Sequence, residues 1–186
     1  MKVAVYSGSF NPLHKGHLSI LVHLCSKGEF GRVYLVISPQ SPFKDASNND
    51  TAKKRLAAAR KAVKRHPELK RVKVDAIELD MEPPHYTVRT LDELKKREPD
   101  NGFTLVIGAD NLACFRGWRD YRRILLEYGV TVFPREGYDM QALKGDLLAE
   151  NPEYRISLED APLVTVSSTM IREGMAAGRD MSDFLM

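Results

Sequence analysis

Lys2-Val3-Ala4-Val5-Tyr6-Ser7, running straight into Gly8-Ser9-Phe10-Asn11-Pro12-Leu13-His14-Lys15-Gly16-His17, decides how this chain can fold. A short apolar run opens into a loop bearing glycine and proline, then into a helical period at Leu18, Leu21, Val22, Leu24 and Cys25. That order describes a strand feeding a helix through a phosphate-handling turn. Gly8 lets backbone pass close to a ligand, with Ser9 and Phe10 beside it, while Pro12 fixes the turn and Gly16 leaves room beside His17. Unpaired N–H groups at the helix start attract anions. His14 and His17 add donors whose charge can follow the ligand, since a free imidazole titrates near pH ~6.5. A structural zinc site would need further Cys or His ligands, and only Cys25 is close. The pair therefore suits a polyphosphate.

Strand-like and helical patterns alternate along the rest of the chain. Strands are expected at Lys2–Ser7, Arg32–Ser38, Arg71–Leu79, Phe103–Ile107, Val130–Pro134, Tyr154–Leu158 and Leu163–Val166. Helices are expected at Gly16–Lys27, Asp50–Arg65, Thr87–Arg97, Arg119–Tyr128, Met140–Glu150 and Ser168–Ala177. Such alternation predicts an α/β chain, a single Rossmann-like domain over residues 1–186 with an open, mainly parallel sheet and helices on both faces. Ligands then bind at the carboxyl ends of the strands. The G-x-G-x-x-G fingerprint is missing after the first strand, which argues against a stored NAD or FAD. Residues 38–51, rich in Ser, Pro and Asn, read as a mobile loop, and residues 179–186 as a loosely held tail.

A length of 186 residues, 43% hydrophobic and 28% charged, fits one globular domain. The net charge of +3 is too small, and too well mixed with 25 acidic residues, to indicate nucleic acid. Cations at Lys53, Lys54, Arg55, Arg60, Lys61, Lys64 and Arg65 surround the apolar positions Leu56, Ala59 and Val63, as on a solvated helix surface. Cys25 and Cys114 form no C-x-x-C arrangement and read as reduced core thiols. With no signal sequence and no membrane-length apolar run, the cytoplasm is the expected compartment. Assembly with like chains is left open.

A second strand-to-helix anion site is expected at Val164-Thr165-Val166-Ser167-Ser168-Thr169-Met170-Ile171-Arg172. Ser167 or Ser168 can cap the helix, its first amides are free, and Arg172 carries a planar fork suited to phosphate oxygens. His14 to His17 and Ser167 to Arg172 together resemble the nucleotidyltransferase superfamily that carries an H-x-G-H loop and an S-x-T-x-x-R helix start. Ile107-Gly108-Ala109-Asp110, Phe115-Arg116-Gly117-Trp118-Arg119 and His85-Tyr86-Thr87-Val88-Arg89-Thr90-Leu91 narrow the resemblance. They are similar to the I-G-x-D, tryptophan and Y-T-x-x-T-L segments of the bacterial nicotinate-mononucleotide adenylyltransferase family.

That resemblance implies transfer of AMP from ATP to nicotinate mononucleotide, with release of pyrophosphate and formation of deamido-NAD. It implies phosphate contacts for His14, His17 and Arg172, with Ser168 and Thr169 holding the pyrophosphate end. Gly8, Ser9, Phe10, Gly108, Asp110 and Ser167 complete the expected ATP site, and Lys44, Thr87 and Trp118 the acceptor site. Trp118 would stack on the pyridine ring and Thr87 would help read the carboxylate, while Lys44 would meet a phosphate. Asp110 suits ribose hydroxyls, a helix cap or magnesium. Magnesium would be carried mainly by the ATP phosphates. Ser7, Lys15 and His85 depart from the family pattern. Nicotinamide mononucleotide or phosphopantetheine as acceptor, and a nucleotide sensor without turnover, are the alternatives.

Overall fold

The computed structural model describes residues 1–39 and 49–186. Among the described residues six strands are present: β1 (Lys2–Gly8), β2 (Arg32–Ile37), β3 (Val72–Asp75), β4 (Gly102–Gly108), β5 (Val130–Phe133) and β6 (Ile156–Leu158). They form one sheet in the order β3-β2-β1-β4-β5-β6, and every adjacent pair is parallel. A parallel sheet covered on both faces needs near-continuous apolar strands. Val33 through Ile37 of β2 are accordingly all buried.

Seven α-helices among the described residues surround it: α1 (Lys15–Ser26), α2 (Asn49–Lys64), α3 (Thr87–Arg97), α4 (Ala109–Ala113), α5 (Tyr121–Arg123), α6 (Met140–Glu150) and α7 (Ser168–Ala176). On one face Ile20, Leu21 and Leu24 of α1 and Ala59 and Ala62 of α2 cluster with Ala4, Tyr6, Val33, Leu35 and Ile37. On the other, Val88, Leu91 and Leu94 of α3, Leu112 of α4 and Leu147 of α6 meet Val3, Val5, Tyr34, Val36, Leu105 and Ile107. Each fully buried Leu, Ile or Val contributes about 1.5–3 kcal/mol. The period-2 split of each strand between the two clusters is what fixes which helix covers which face.

The chain runs outward from β1 in both directions, so β1 and β4 flank the point where the strand order reverses. An α/β sheet opens a crevice there, at the carboxyl ends. Tyr6 pairs with Val106, which brings the ends of β1 and β4, at Gly8 and Gly108, side by side.

Five expectations need correction. Leu163–Val166 is not a strand: among the described residues the sheet ends at β6, and this segment has no ladder partner. Alternation reports only that one side of a segment is covered. Here Val164 is covered by Gly16 of α1, where an added Cβ would lie 2.3 Å from Val164 Cγ1. The strand expected over Arg71–Leu79 stops at Asp75, whose carboxylate accepts from Ile77 N at 3.0 Å and turns the chain into a 3-10 turn at Ile77–Leu79. The helix expected over Arg119–Tyr128 is only three α-helical residues, entered through Asp120 at φ +51° and continued as a π-helix over Ile124–Tyr128. Cys114 is exposed rather than in the core, because short α4 turns it outward; both cysteines are free. Residues 179–186 pack back on the domain, with Met181 buried against Gly174 and Leu185 bridged to His14.

Candidate active site

Two connected lobes occupy the crevice. The first, about 330 Å³, is lined by Gly8, Ser9 and Phe10 from the end of β1, by Gly108 and Asn111 beyond β4, and by Thr87 and Trp118. The second, about 410 Å³, is lined by His14, Asp110, Glu136, Tyr138 and residues 164–168. His17, Arg135 and Ser168 line both. The two sequence motifs, about 150 residues apart in the chain, therefore share one cleft.

The histidines are wired into the start of α1. His14 is its N-cap: its Nδ1 accepts from Gly16 N at 3.1 Å, and its own backbone N donates to His17 Nδ1 at 3.2 Å. The rings stack with centroids 3.6 Å apart. A neutral imidazole has one acceptor and one N–H, so both protons must sit on Nε2. Burial, with Arg135 nearby, lowers the His14 pKa to about 4. Burial, His14 and Arg135 lower that of His17 to about 2. Without ligand both rings are thus neutral at pH 7, contrary to the expectation of ordinary titration near 6.5; they offer N–H dipoles rather than charge.

Phe10 helps to hold the loop. Its backbone is left-handed at φ +46°, a conformation that costs about 1–3 kcal/mol outside glycine. Burial of its ring offsets this, edge-on to both Tyr6 and His17 at 5.2 and 5.0 Å between centroids. Gly16 admits Val164 and the His14 ring, which a Cβ would approach to 2.3 and 2.9 Å. Gly108 is equally constrained: a Cβ there would lie 2.4 Å from Asp110 Oδ1 and 2.9 Å from Arg135 Nε.

At the carboxy-terminal motif, Ser167 caps α7 by accepting from Met170 N at 3.1 Å, while Ser168 donates to Pro12 O at 2.9 Å. Arg172 donates to Asn11 O at 2.7 Å and lies 3.3 Å from Thr169 Oγ1. Arg172 and Thr169 are exposed and line neither lobe, so α7 meets the first motif mainly through the loop's backbone. Thr87 opens α3 and Trp118 packs on Phe115 at 4.8 Å between centroids. Arg119 over the Tyr86 ring, at 5.6 Å, ties these two segments together. His85 is directed to Met81 O at 2.9 Å, and Lys15 is exposed. Lys44 lies outside the described residues. Among them no group of three or more His, Cys, Asp or Glu could hold a metal ion, and no helix is long and apolar enough to cross a membrane.

Known proteins match over nearly the whole length. The Cytidylyltransferase-like family matches residues 5–174. A probable nicotinate-nucleotide adenylyltransferase of Bacteroides fragilis is 34% identical over 99% of this chain and 87% of its own length. Its counterpart in Flavobacterium johnsoniae is 32% identical over 100% of this chain and 92% of its own. The chain belongs to the nicotinate-nucleotide adenylyltransferase family. A Plasmodium falciparum nicotinic acid mononucleotide adenylyltransferase, solved complexed with NaAD, shares the fold at a TM-score of 0.79 and 16% identity, over 98% of this chain and 87% of that one.

Several residues of this adenylyltransferase site were not anticipated from the sequence. Arg135 follows β5, and its Nε stands 3.6 Å from Asp110 Oδ1 between the lobes. The signal for it was available, since it falls just past the carboxyl end of a predicted strand. Asn111 lines the first lobe on α4, a helix too short for periodicity to reveal. Arg55, read as part of a solvated helix face, is buried; its Nη1 donates to Ser9 O and, at 2.8 Å, to Ser38 O, joining the ends of β1 and β2. No single-helix pattern distinguishes such a cation from its solvated neighbours.

Proposed function

We propose that the chain transfers AMP from ATP to nicotinate mononucleotide, forming nicotinate adenine dinucleotide and pyrophosphate in NAD biosynthesis. The observation that carries this reading is the pair of lobes meeting at His17, Arg135 and Ser168, one beside Trp118 and Thr87 and the other beside His14 and Asp110. In this reading the first lobe takes the acceptor, with its pyridine ring on Trp118 and its carboxylate at the free first amides of α3 near Thr87. ATP takes the second lobe beside His14 and Asp110 and extends across the shared seam to Gly8, Ser9, Phe10 and Gly108 at the rim of the first, and Lys44 is assigned to the acceptor side.

An oxygen of the acceptor's phosphate attacks the α-phosphorus of ATP, the new O–P bond forms, and the bond to the bridging oxygen breaks to release pyrophosphate. A phosphate monoester with a second pKa near ~6 is already an anion at neutral pH, so no base is needed. What remains is alignment and stabilisation of charge on the α-phosphate and the leaving group. The Nε2–H groups of His14 and His17 and the Arg135 guanidinium supply it from the cleft. Ser167, Ser168, Thr169 and Arg172 supply it at the pyrophosphate end, Arg172 by turning from Asn11 O to the anion. Magnesium neutralises the polyphosphate when bound. Its oxygen shell would come chiefly from phosphates and water, with Asp110, in the same lobe as His14 and His17, the side chain suited to approach it.

The test is magnesium-dependent pyrophosphate release from ATP with identification of the dinucleotide, offering nicotinate mononucleotide, nicotinamide mononucleotide and phosphopantetheine separately. Formation of nicotinate adenine dinucleotide from the first at the highest kcat/KM is expected. Faster turnover of another acceptor would overturn the assignment of substrate, and ATP binding without turnover of any would overturn the reaction.

A further inference from the structure

Ser7 ends up in a chain of hydroxyl groups at the first lobe. Its Oγ lies 3.1 Å from Glu78 Oε1 and 3.0 Å from Ser38 Oγ. Thr90, on α3 one turn beyond Thr87, places Oγ1 2.8 Å from the same Glu78 oxygen. Glu78 sits in the 3-10 turn after β3 and is only 3% exposed.

A carboxylate oxygen can only accept, so Ser7 and Thr90 both donate to Glu78. Ser7 has one proton, and it is spent there. The Ser38–Ser7 contact must then be made by the proton of Ser38. The direction of every hydroxyl is thereby fixed: Ser38 to Ser7, Ser7 and Thr90 to Glu78. Ser7 and Ser38 both line the lobe that also holds Thr87 and Trp118. With their protons committed, they present lone pairs to whatever binds.

We propose that Glu78 is a positioning residue that polarises Ser7 and Ser38 as a pair of acceptors, and that this pair receives a ribose hydroxyl of the acceptor mononucleotide. The proposal rests on the reading of the first lobe as the acceptor site. Chemistry selects the partner: the phosphate and carboxylate of nicotinate mononucleotide only accept and would be repelled by lone pairs, which leaves its two ribose hydroxyls as donors. A buried carboxylate below the same point disfavours either anion there as well.

The experiment compares nicotinate mononucleotide with its 2′-deoxy and 3′-deoxy analogues in the wild type, Ser7→Ala and Glu78→Gln. Deleting an uncharged hydrogen bond lowers kcat/KM by about 3- to 10-fold, mostly through KM. The wild type is expected to lose that much on one deoxy analogue. Ser7→Ala should lose it on the ribonucleotide and nothing further on that analogue. Glu78→Gln should behave likewise, because its amide can donate to Ser7 and release the Ser7 proton. Structural damage alone would lower all three substrates together, so equal losses on all of them would overturn the proposal. Full wild-type activity on both deoxy analogues would do the same. Absence of wild-type turnover with nicotinate mononucleotide itself would instead remove the functional reading, and this proposal with it.

Discussion

The amino-terminal loop at residues 8–17 and the carboxy-terminal helix start at 164–172 follow the same local grammar, yet the fold uses them differently. The first leaves a central strand of the sheet, is held by Arg55 and by the buried Phe10 ring, and commits both imidazoles to its own backbone. The second comes from no strand, leans on Gly16 through Val164, and reaches the cleft edge through Ser167 and Ser168 while Arg172 stays exposed. One motif is preorganised and largely solvent-excluded. The other is an exposed clasp that grips the first motif's backbone at Pro12 O and Asn11 O. Preorganised dipoles cost no reorganisation during reaction, whereas an exposed cation must be drawn in by its ligand.

The largest expected effect lies on the preorganised side. His17→Ala should lower kcat by about 100- to 1000-fold, the range for losing one preorganised donor. Stability should fall by about 1–3 kcal/mol as well, since the backbone N–H of His14 loses its acceptor. Steady-state kinetics beside a denaturant melt tests this; activity that follows only the folded fraction would remove His17 from the chemistry. On the clasp, Arg172→Ala should cost about 10- to 100-fold in kcat/KM for ATP, in keeping with one charge-assisted contact worth about 1.5–3 kcal/mol. Its Tm should stay within about 2 °C, because a substitution at an exposed site usually changes stability by less than 0.5 kcal/mol. A Tm loss without a kinetic one would make Arg172 a structural clasp only.

The seam between the two regions can be broken directly. Gly16→Ala forces a Cβ to within 2.3 Å of Val164 Cγ1 and 2.9 Å of the His14 ring, and should destabilise the protein by about 1–3 kcal/mol. Val164→Ala in the same chain should restore part of that loss, and strict additivity of the two changes in a double-mutant cycle would count against the contact.

The last effect is a pH dependence confined to the first region. His14 titrates at about 4 and His17 at about 2 in the fold, against about 6.5 for free imidazole. From about pH 6.5 down to about 4 for His14, and on down to about 2 for His17, the unfolded chain binds more protons, so their contribution to stability falls as the pH drops through those windows and is level above them. His14→Asn keeps a capping oxygen for Gly16 N but does not titrate. A smaller drop in Tm between pH 7 and pH 5 in His14→Asn than in the wild type is expected, and identical drops would place the dependence elsewhere.

Much of this molecule was legible in the residues. Apolar runs at strand length and amphipathic runs at helix length are local signals, which is why α3 and α6 fall on their predicted residues and all six strands overlap predicted runs. His14, His17, Trp118, Thr87 and Ser168 could be singled out because their neighbours in sequence carry the motif. What the sequence could not supply is every property that depends on a partner far along the chain. Only packing decided that Val164 faces Gly16 rather than another strand, and that Arg135 stands between the lobes. Only packing turned Arg55 inward to bind two carbonyls while its neighbours stay in water, and aligned the hydroxyls of Ser7, Ser38 and Thr90 on one buried carboxylate. The chemistry of the side chains was written locally. Their protonation, burial and direction came from the field and the excluded volume of the folded domain, which exist only once distant segments meet.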